Sequence, residues 1–332
     1  MNLGRLCRIL KKIRVAFIFK SSNVFLSGNH FDNTYYHFFM NALKRNIRLE
    51  ITYFPTNEIF DASVLKDKFD IILLWQNTEF GMPKELIGIQ ELDIPVVADV
   101  CDPQDAKNAI KFHKKWKIDH YFHYYPESLF HDLFPKDFKY TSIIFGLEPS
   151  LYQNVVPFRD RIKNKILNSG AIGNTKFLSR IINSVRNPKW NSYSYYTLRT
   201  KCNDLPYVDY TTTLAHEYIG DKYNLLLQKY AGAIAATSVE TTIKYWEIPA
   251  AGCLTFMEIT GKNKGDYLGY VDGETGIFIN EDNYEQKFER FLNDPENSKW
   301  EKIANAGRNY ALENFNNDKA ANSLVDLMAS LI

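Results

Sequence analysis

Two glutamates and a lysine stand close together in the run SVETTIKYWEIPAAGCLTFME, Ser238 to Glu258. Glu240, Lys244 and Glu247 are spaced i, i+4 and i+7, so a helix through them would carry all three on one face. A carboxylate there can accept hydrogen bonds from both hydroxyls of a ribose diol, and a lysine beside it can neutralise phosphate. Upstream, GAIAATS reads as a buried strand, which leaves Thr237, Ser238, Thr241 and Thr242 around the start of the expected helix. The unpaired N–H groups and partial positive charge of such a start suit a diphosphate. Gly252 fits the left-handed residue that closes a helix before the apolar strand CLTFM. Pro249 cannot donate in a helix interior, so the helix is short, kinked, or begins later than Ser238. On charge pattern alone the same residues fit a solvated Glu–Lys–Glu stripe. Their place at a strand–loop–helix junction favours a ligand.

Other candidates are sparser. Asp99 and Asp102 bracket Cys101 in DVCDPQD. They could act as a base, stabilise positive charge developing on a sugar, or cap a turn. His30, in the polar loop SGNHFDN, could touch an acceptor or a phosphate. His120 and His123 fall in the strand-like run HYFHYY, where packing is the simpler role and no third ligand stands at metal spacing.

Positioning these groups requires a scaffold. IRVAFIFK, IRLEITYFP, FDIILLWQ, IPVVADV, KIDHYFHYY and YTSIIFG are short apolar runs, with a helix through YYHFFMNALKRN after the first. The pattern restarts with KNKILNSGAI, a helix through KFLSRIINSVRN, then WNSYSYYTL, a helix over DKYNLLLQKYA, GAIAATS and CLTFME. GETGIFI, a helix through YEQKFERFLND and a tail with helical periodicity follow. Strands alternating with helices imply parallel, doubly wound sheets. The expectation is an α/β chain with one Rossmann-like domain over 1–155 and a second over 156–310. A C-terminal helix over 311–332 could pack back on the first domain. Ligands of such folds sit at the carboxyl ends of the strands, so a cleft between the domains should hold the site.

Length and charge agree with this picture. At 332 residues the chain is about right for two domains. Lys+Arg 40 against Asp+Glu 39 leaves a net charge of +1, which gives no global field for nucleic acid. Cys7, Cys101, Cys202 and Cys253 are far apart, which argues against a zinc site or disulfide scaffold and for a reducing, cytoplasmic setting. No apolar run approaches the length that spans a bilayer. The basic start MNLGRLCRILKKIR lacks a signal-peptide core. It reads as a solvated lead-in to the first strand, or as a segment lying on an anionic membrane surface.

KYWEIPAAGCLTF resembles the Arg-x-Phe-Glu-Ile-Pro-Ala-x-Gly run of group 1 glycosyltransferases of the GT-B fold, in the branch that includes the CgeB-like, spore-maturation-type enzymes. The likeness extends upstream through HEYIGDKYNLLLQKYAGAIAATS and downstream through DGETGIFINEDNYEQKFERFLNDPENSKWEKIANAGRNYALENF. In the first half only the architecture agrees. The resemblance implies transfer of a sugar from a UDP- or GDP-linked donor, held by the C-terminal domain, to a glycan, lipid-linked or other hydroxyl acceptor held by the N-terminal one. No metal or further cofactor is implied, because a helix dipole and basic side chains can stabilise the leaving diphosphate. Glu247 matches the second glutamate of the family's Glu-x7-Glu motif, which holds the ribose. The first would fall at Val239, and this chain has Glu240 one place later. Lys244 stands where the branch usually has arginine and keeps the charge without the bidentate fork. A basic pair after the first strand of the C-terminal domain would neutralise the diphosphate, and SGAIGNTKFLSR offers Lys176 and Arg180 beyond Gly170. Tyr218 falls where the family's loop meets the base. The histidine that many members carry after the strand matching IPVVADV is Cys101 here, which leaves Asp99, Asp102 or His30 for the acceptor side. A GT-B-like nucleotide- or sugar-binding protein without turnover, or a sugar-nucleotide epimerase of the same fold, is the alternative.

Overall fold

The computed structural model describes residues 12–21, 35–79, 81–173, 176–186, 191–212 and 217–332. Met1–Lys11, which carries most of the basic start, and the loop holding His30 lie outside them. The first half forms β1 (Ile13–Lys20), β2 (Leu49–Thr56), β3 (Ile59–Asp61), β4 (Ile71–Leu74), β5 (Glu85–Ile87), β6 (Val96–Asp99), β7 (His120–His123) and β8 (Tyr140–Ser142). Six of these make one parallel sheet in the order β2-β1-β4-β6-β7-β8, while β3 and β5 pair separately. Every residue of β4 and β6 is buried, as expected for central parallel strands covered on both faces.

The second sheet, also parallel, contains β9 (Ile162–Ser169), β10 (Val208–Thr211), β11 (Tyr230–Ala235), β12 (Leu254–Glu258) and β13 (Ile277–Ile279). Its order is β10-β9-β11-β12-β13. The expected α/β, doubly wound architecture is present. In each sheet the order reverses beside the first strand, between β1 and β4 and between β9 and β11. Loops leaving those neighbours diverge and open a crevice at the carboxyl ends. WNSYSYYTL contributes two short helices, Ser192–Tyr195 and Thr197–Cys202. The edge strand β10 was not singled out from the sequence, because VDYT is only half-buried and carries no apolar run.

Aromatic contacts join the halves. Tyr124, just past β7, meets Trp246 with ring centroids 5.5 Å apart, and Trp246 meets Phe315 at 6.0 Å. The Tyr267 hydroxyl donates to the Tyr124 carbonyl at 2.5 Å. The tail breaks at Asn316, whose side chain caps the last helix, Asn317–Leu331, by accepting from the Lys319 N–H at 2.9 Å. That helix returns to the first sheet's layer, with Arg45–Asp318 and Arg48–Asp326 pairs, both 2.6 Å. These exposed pairs orient the helix more than they stabilise it.

The helix that carries Glu247 runs from Lys244 to Ala250 and begins later than the Ser238–Thr242 start expected from the sequence. Its first bonds run from Tyr245 N–H to Thr242 and from Glu247 N–H to Ile243. Glu240 therefore lies in the loop before the helix and shares no helical face with Lys244 and Glu247. Pro249 lies inside the helix and leaves the Tyr245 carbonyl without its i+4 donor. The Tyr270 hydroxyl fills that place, donating to the carbonyl at 2.8 Å. At the other end Gly252 adopts φ 78°, its N–H bonds Pro249 at 2.7 Å and the Cys253 N–H bonds Ile248 at 3.4 Å. This is a Schellman closure.

Tyr270→Phe should leave the Tyr245 carbonyl buried and unpaired, costing about 1–3 kcal/mol in chemical denaturation. An unchanged denaturation midpoint would show that the proline needs no such partner.

Candidate functional site

β9 ends in Asn168, Ser169 and then Gly170 at the switch point. Asn168 is completely buried, and its Nδ2 donates to the Arg199 carbonyl at 3.0 Å, which ties the helix Thr197–Cys202 to the strand end. Gly170 has φ 111°, its N–H donates to Thr211 O at 3.0 Å, and its carbonyl accepts from the Tyr210 hydroxyl at 2.9 Å. A Cβ on Gly170 would stand 2.7 Å from Lys244 Cε and 3.2 Å from both Lys244 Nζ and Arg199 Nη1. Only a glycine leaves room there for two cationic side chains.

Arg199 is 2% exposed, and Lys244, half-buried, meets it over Gly170. Arg199 Nη1 donates to Ala171 O at 3.1 Å, whereas its Nε and Nη2 are buried with no partner among the described residues. Lys244 Nζ donates to the Tyr223 hydroxyl at 3.1 Å and lies 4.7 Å from that ring. Neither forms an ion pair within 4.0 Å among the described residues; Glu258 and Glu247 act on them from further away. Burial pulls both groups below their ordinary pKa, and Arg199's charge pulls Lys244 down further. Two like charges in a dry space without a counter-ion are costly, and a bound anion would relieve both.

Two buried carboxyls, Glu247 and Glu258, act on the pair, and a third, Glu240, is buried in the loop before the helix. Glu247, three residues along the helix, is pushed up by burial and drawn back by Lys244. Glu240 is pushed up to about 8, by burial first, with the charge of Asp102 adding to it and the Tyr195 hydrogen bond opposing. The Tyr195 hydroxyl donates to Glu240 Oε1 at 2.5 Å, and Oε2 has no partner among the described residues. Glu258, at the end of β12, is pushed up to about 7 by burial; Ser238 Oγ donates to its Oε1 at 3.2 Å, and its Oε2 is likewise unpartnered among the described residues. Tyr245 and Asn263 stitch the strand ends below: the Tyr245 hydroxyl donates to Glu258 O at 2.9 Å, and Asn263 Nδ2 donates to Thr237 O at 2.9 Å.

The residues singled out from the sequence are distributed unevenly. Gly170, Lys244, Glu247, Glu240 and Ser238 converge on this end of the second sheet. Thr241 Oγ1 is 2.8 Å from the Tyr267 hydroxyl, and Thr242 Oγ1 is buried without a partner among the described residues. The cation that meets Lys244 over Gly170 is Arg199; Lys176 is exposed, and Arg180 lays its guanidinium 3.4 Å from the centre of the Tyr193 ring. Tyr218 pairs with Lys229, which precedes β11, at the opposite end of the strand from Ser238. On the facing wall Asp99 is completely buried, with Oδ1 2.8 Å from His123 Nδ1 and Oδ2 without a partner among the described residues. Burial raises its pKa. Asp102 is exposed, and its charge is felt by Tyr125 in its own unit and by Glu240 and Tyr195 across the domain boundary.

Arg199 and Glu258 were missed. Arg199 left one trace: no acidic residue occurs between Asp160 and Asp204, so an arginine buried in that stretch has no local counter-ion.

No protein-family model matches the chain, and no curated protein matches it in sequence. Solved structures do. Sucrose-phosphate synthase from Thermosynechococcus elongatus superposes with a TM-score of 0.64 at 12% identity, covering 96% of this chain and 99% of its own. Anabaena HepE in complex with UDP-glucose gives 0.60 at 12%, covering 96% and 100%. An alpha-glucosyltransferase in complex with UDP-glucose and DNA containing an abasic site gives 0.59 at 10%, covering 96% and 100%. The chain has the GT-B fold. In this GT-B protein the two cations lie at the switch point of the second sheet, where doubly wound folds take their ligands.

Glu240→Gln gives a pH test of the site. In the unfolded chain the carboxyl ionises above about 4.5, but in the folded protein only above about 8. Its ionisation therefore costs stability increasingly between those values and by a constant amount above them. Wild type and variant should melt alike near pH 4.5, and the variant should gain on the order of a few kcal/mol by pH 8. Parallel melting curves across that range would show that Glu240 is ionised when folded.

Proposed function

We propose that this GT-B chain transfers a sugar from a nucleoside-diphosphate sugar, UDP- or GDP-linked, to a hydroxyl acceptor in the interdomain cleft. The observation that carries this reading is the pairing of buried Arg199 with half-buried Lys244 over Gly170, with no counter-ion within 4.0 Å among the described residues. A diphosphate supplies that counter-charge in the ground state. It gains negative charge as the glycosidic bond breaks, so fixed donors in a dry site stabilise the departure. Arg199 can present its unpartnered Nε and Nη2 as a fork, while Lys244 acts as a point charge.

Glu247, on the same helix as Lys244, accepts from the ribose hydroxyls in this reading. Glu240 and Glu258 keep one free oxygen each for hydroxyls of the transferred sugar. Lys176 and Arg180 extend the positive field outward along the loop. Asp102, exposed on the facing wall, takes the acceptor proton or stabilises a cationic sugar in this reading. The donor thus belongs to the 156–310 unit and the acceptor to the 1–155 unit, with a glycan or lipid-linked hydroxyl as acceptor and no metal required. UDP-glucose complexes of HepE and the alpha-glucosyltransferase make a UDP-linked donor the first to try. The Glu247 run keeps the CgeB-like branch as the proposed affiliation. Locking of Asp99 against His123 favours, as a second reading, a donor-binding protein without turnover.

Calorimetric titration of UDP and GDP should give micromolar binding of one of them. Arg199→Met and Glu247→Ala should each weaken it by about 10- to 150-fold, as for hydrogen bonds to charged groups. Binding of neither nucleotide would overturn the donor site. Nucleotide binding with neither transfer to an acceptor nor donor hydrolysis would select the second reading.

A further inference from the structure

The helix Phe177–Arg186 turns its apolar side outward. Leu178, Ile181, Ile182 and Val185 stand at i, i+3, i+4 and i+7 and are 73%, 46%, 52% and 76% exposed. A surface helix normally aims that stripe at the core. Away from the stripe, Arg180 is laid on the Tyr193 ring. Among the described residues the other exposed large aliphatics do not gather on any one helix.

The sequence that carries the stripe is one-sided in charge. No Asp or Glu occurs between Asp160 and Asp204, and Lys176 and Arg180 flank Leu178 in sequence. The whole chain is nearly neutral at +1, so this excess is local. Outward aliphatics within a basic, acid-free segment combine the two forces that hold a helix in the plane of a bilayer surface, apolar burial and attraction to anionic headgroups. Pairing the stripe with its counterpart on a second copy would bring two such basic segments together, and their repulsion disfavours that occupant.

We propose that the helix Phe177–Arg186 docks the protein on an anionic lipid surface. A helix of this length lies about 15 Å along the interface. It follows directly on the loop that leaves Gly170, so docking brings the mouth of the cation site to the membrane. On the transferase reading, which this consequence rests on, the geometry favours a lipid-linked hydroxyl acceptor.

The test is co-sedimentation of the full chain with phosphatidylcholine vesicles and with vesicles that also contain phosphatidylglycerol. Wild type should bind the anionic vesicles, and added salt should weaken that binding. Leu178→Asn with Ile182→Asn should reduce it by about tenfold or more, since each buried aliphatic side chain is worth more than a factor of ten. The double variant should keep the wild-type melting temperature and UDP affinity. Absence of wild-type binding would overturn the proposal. So would full binding by the double variant, which would point to the basic start instead. Conversion of a wild-type dimer to monomers by the double variant, without any vesicle effect, would assign the stripe to a second copy. Stripe-dependent vesicle binding in a protein that binds no nucleotide would leave the docking standing and remove only the transferase reading.

Discussion

Arg199 and Lys244 share a dry space over Gly170, and much of the site's construction serves to hold them there. Neither side chain has a carboxylate within 4.0 Å among the described residues, and both are stripped of most of their water. A fold tolerates this when other contacts position the pair firmly and a ligand repays the cost. Asn168 fixes the Arg199 backbone from β9, and Gly170 gives up a side chain so that the two groups can approach. Lys244 begins the helix that also aims Glu247. A cation pair and a carboxyl on one rigid frame suit a ligand with a diphosphate at one end and a diol at the other.

The helix Lys244–Ala250 repays close attention because its sequence works against it. It has only two turns and contains a proline, so it would not persist alone. Burial of all residues from Tyr245 to Ala250, the Tyr270 hydroxyl and the Gly252 closure replace what the backbone lacks. Trp246, from the same helix, reaches Tyr124 in the other domain. The element that orients Lys244 and Glu247 is therefore part of the seam between domains. A shift in how the domains meet would be felt at the cations and at the Glu240–Tyr195 pair.

Both parallel sheets were legible in the sequence because their strands are buried on both faces and read as unbroken apolar runs, as in IILL and VVAD. The short edge strand VDYT and the β3–β5 pair carry no such run and were missed. Lys244, Glu247 and Gly170 were visible because they flank a strand–helix junction. Arg199 was not, since a buried arginine looks in sequence like any helical surface arginine, and its burial depends on a loop folding over it. Spacing misled at Glu240. The i, i+4, i+7 pattern suggested one helical face, but the chain from Ala236 to Thr242 stays irregular, and hydrogen bonds from Thr237 Oγ1 to the Glu240 carbonyl and from Tyr195 to its carboxyl hold that stretch. Asp99 shows the same limit, because its partner His123 comes from the neighbouring strand and register decides that they meet.

The most direct measurement is a crystal structure of the protein grown with UDP. The diphosphate should lie over Gly170, with its oxygens about 2.7–2.9 Å from Lys244 Nζ and from the Arg199 guanidinium, the lengths of charge-assisted hydrogen bonds. The ribose should lie against Glu247. UDP bound elsewhere, with Arg199 and Lys244 still facing each other across an unfilled space, would contradict that placement.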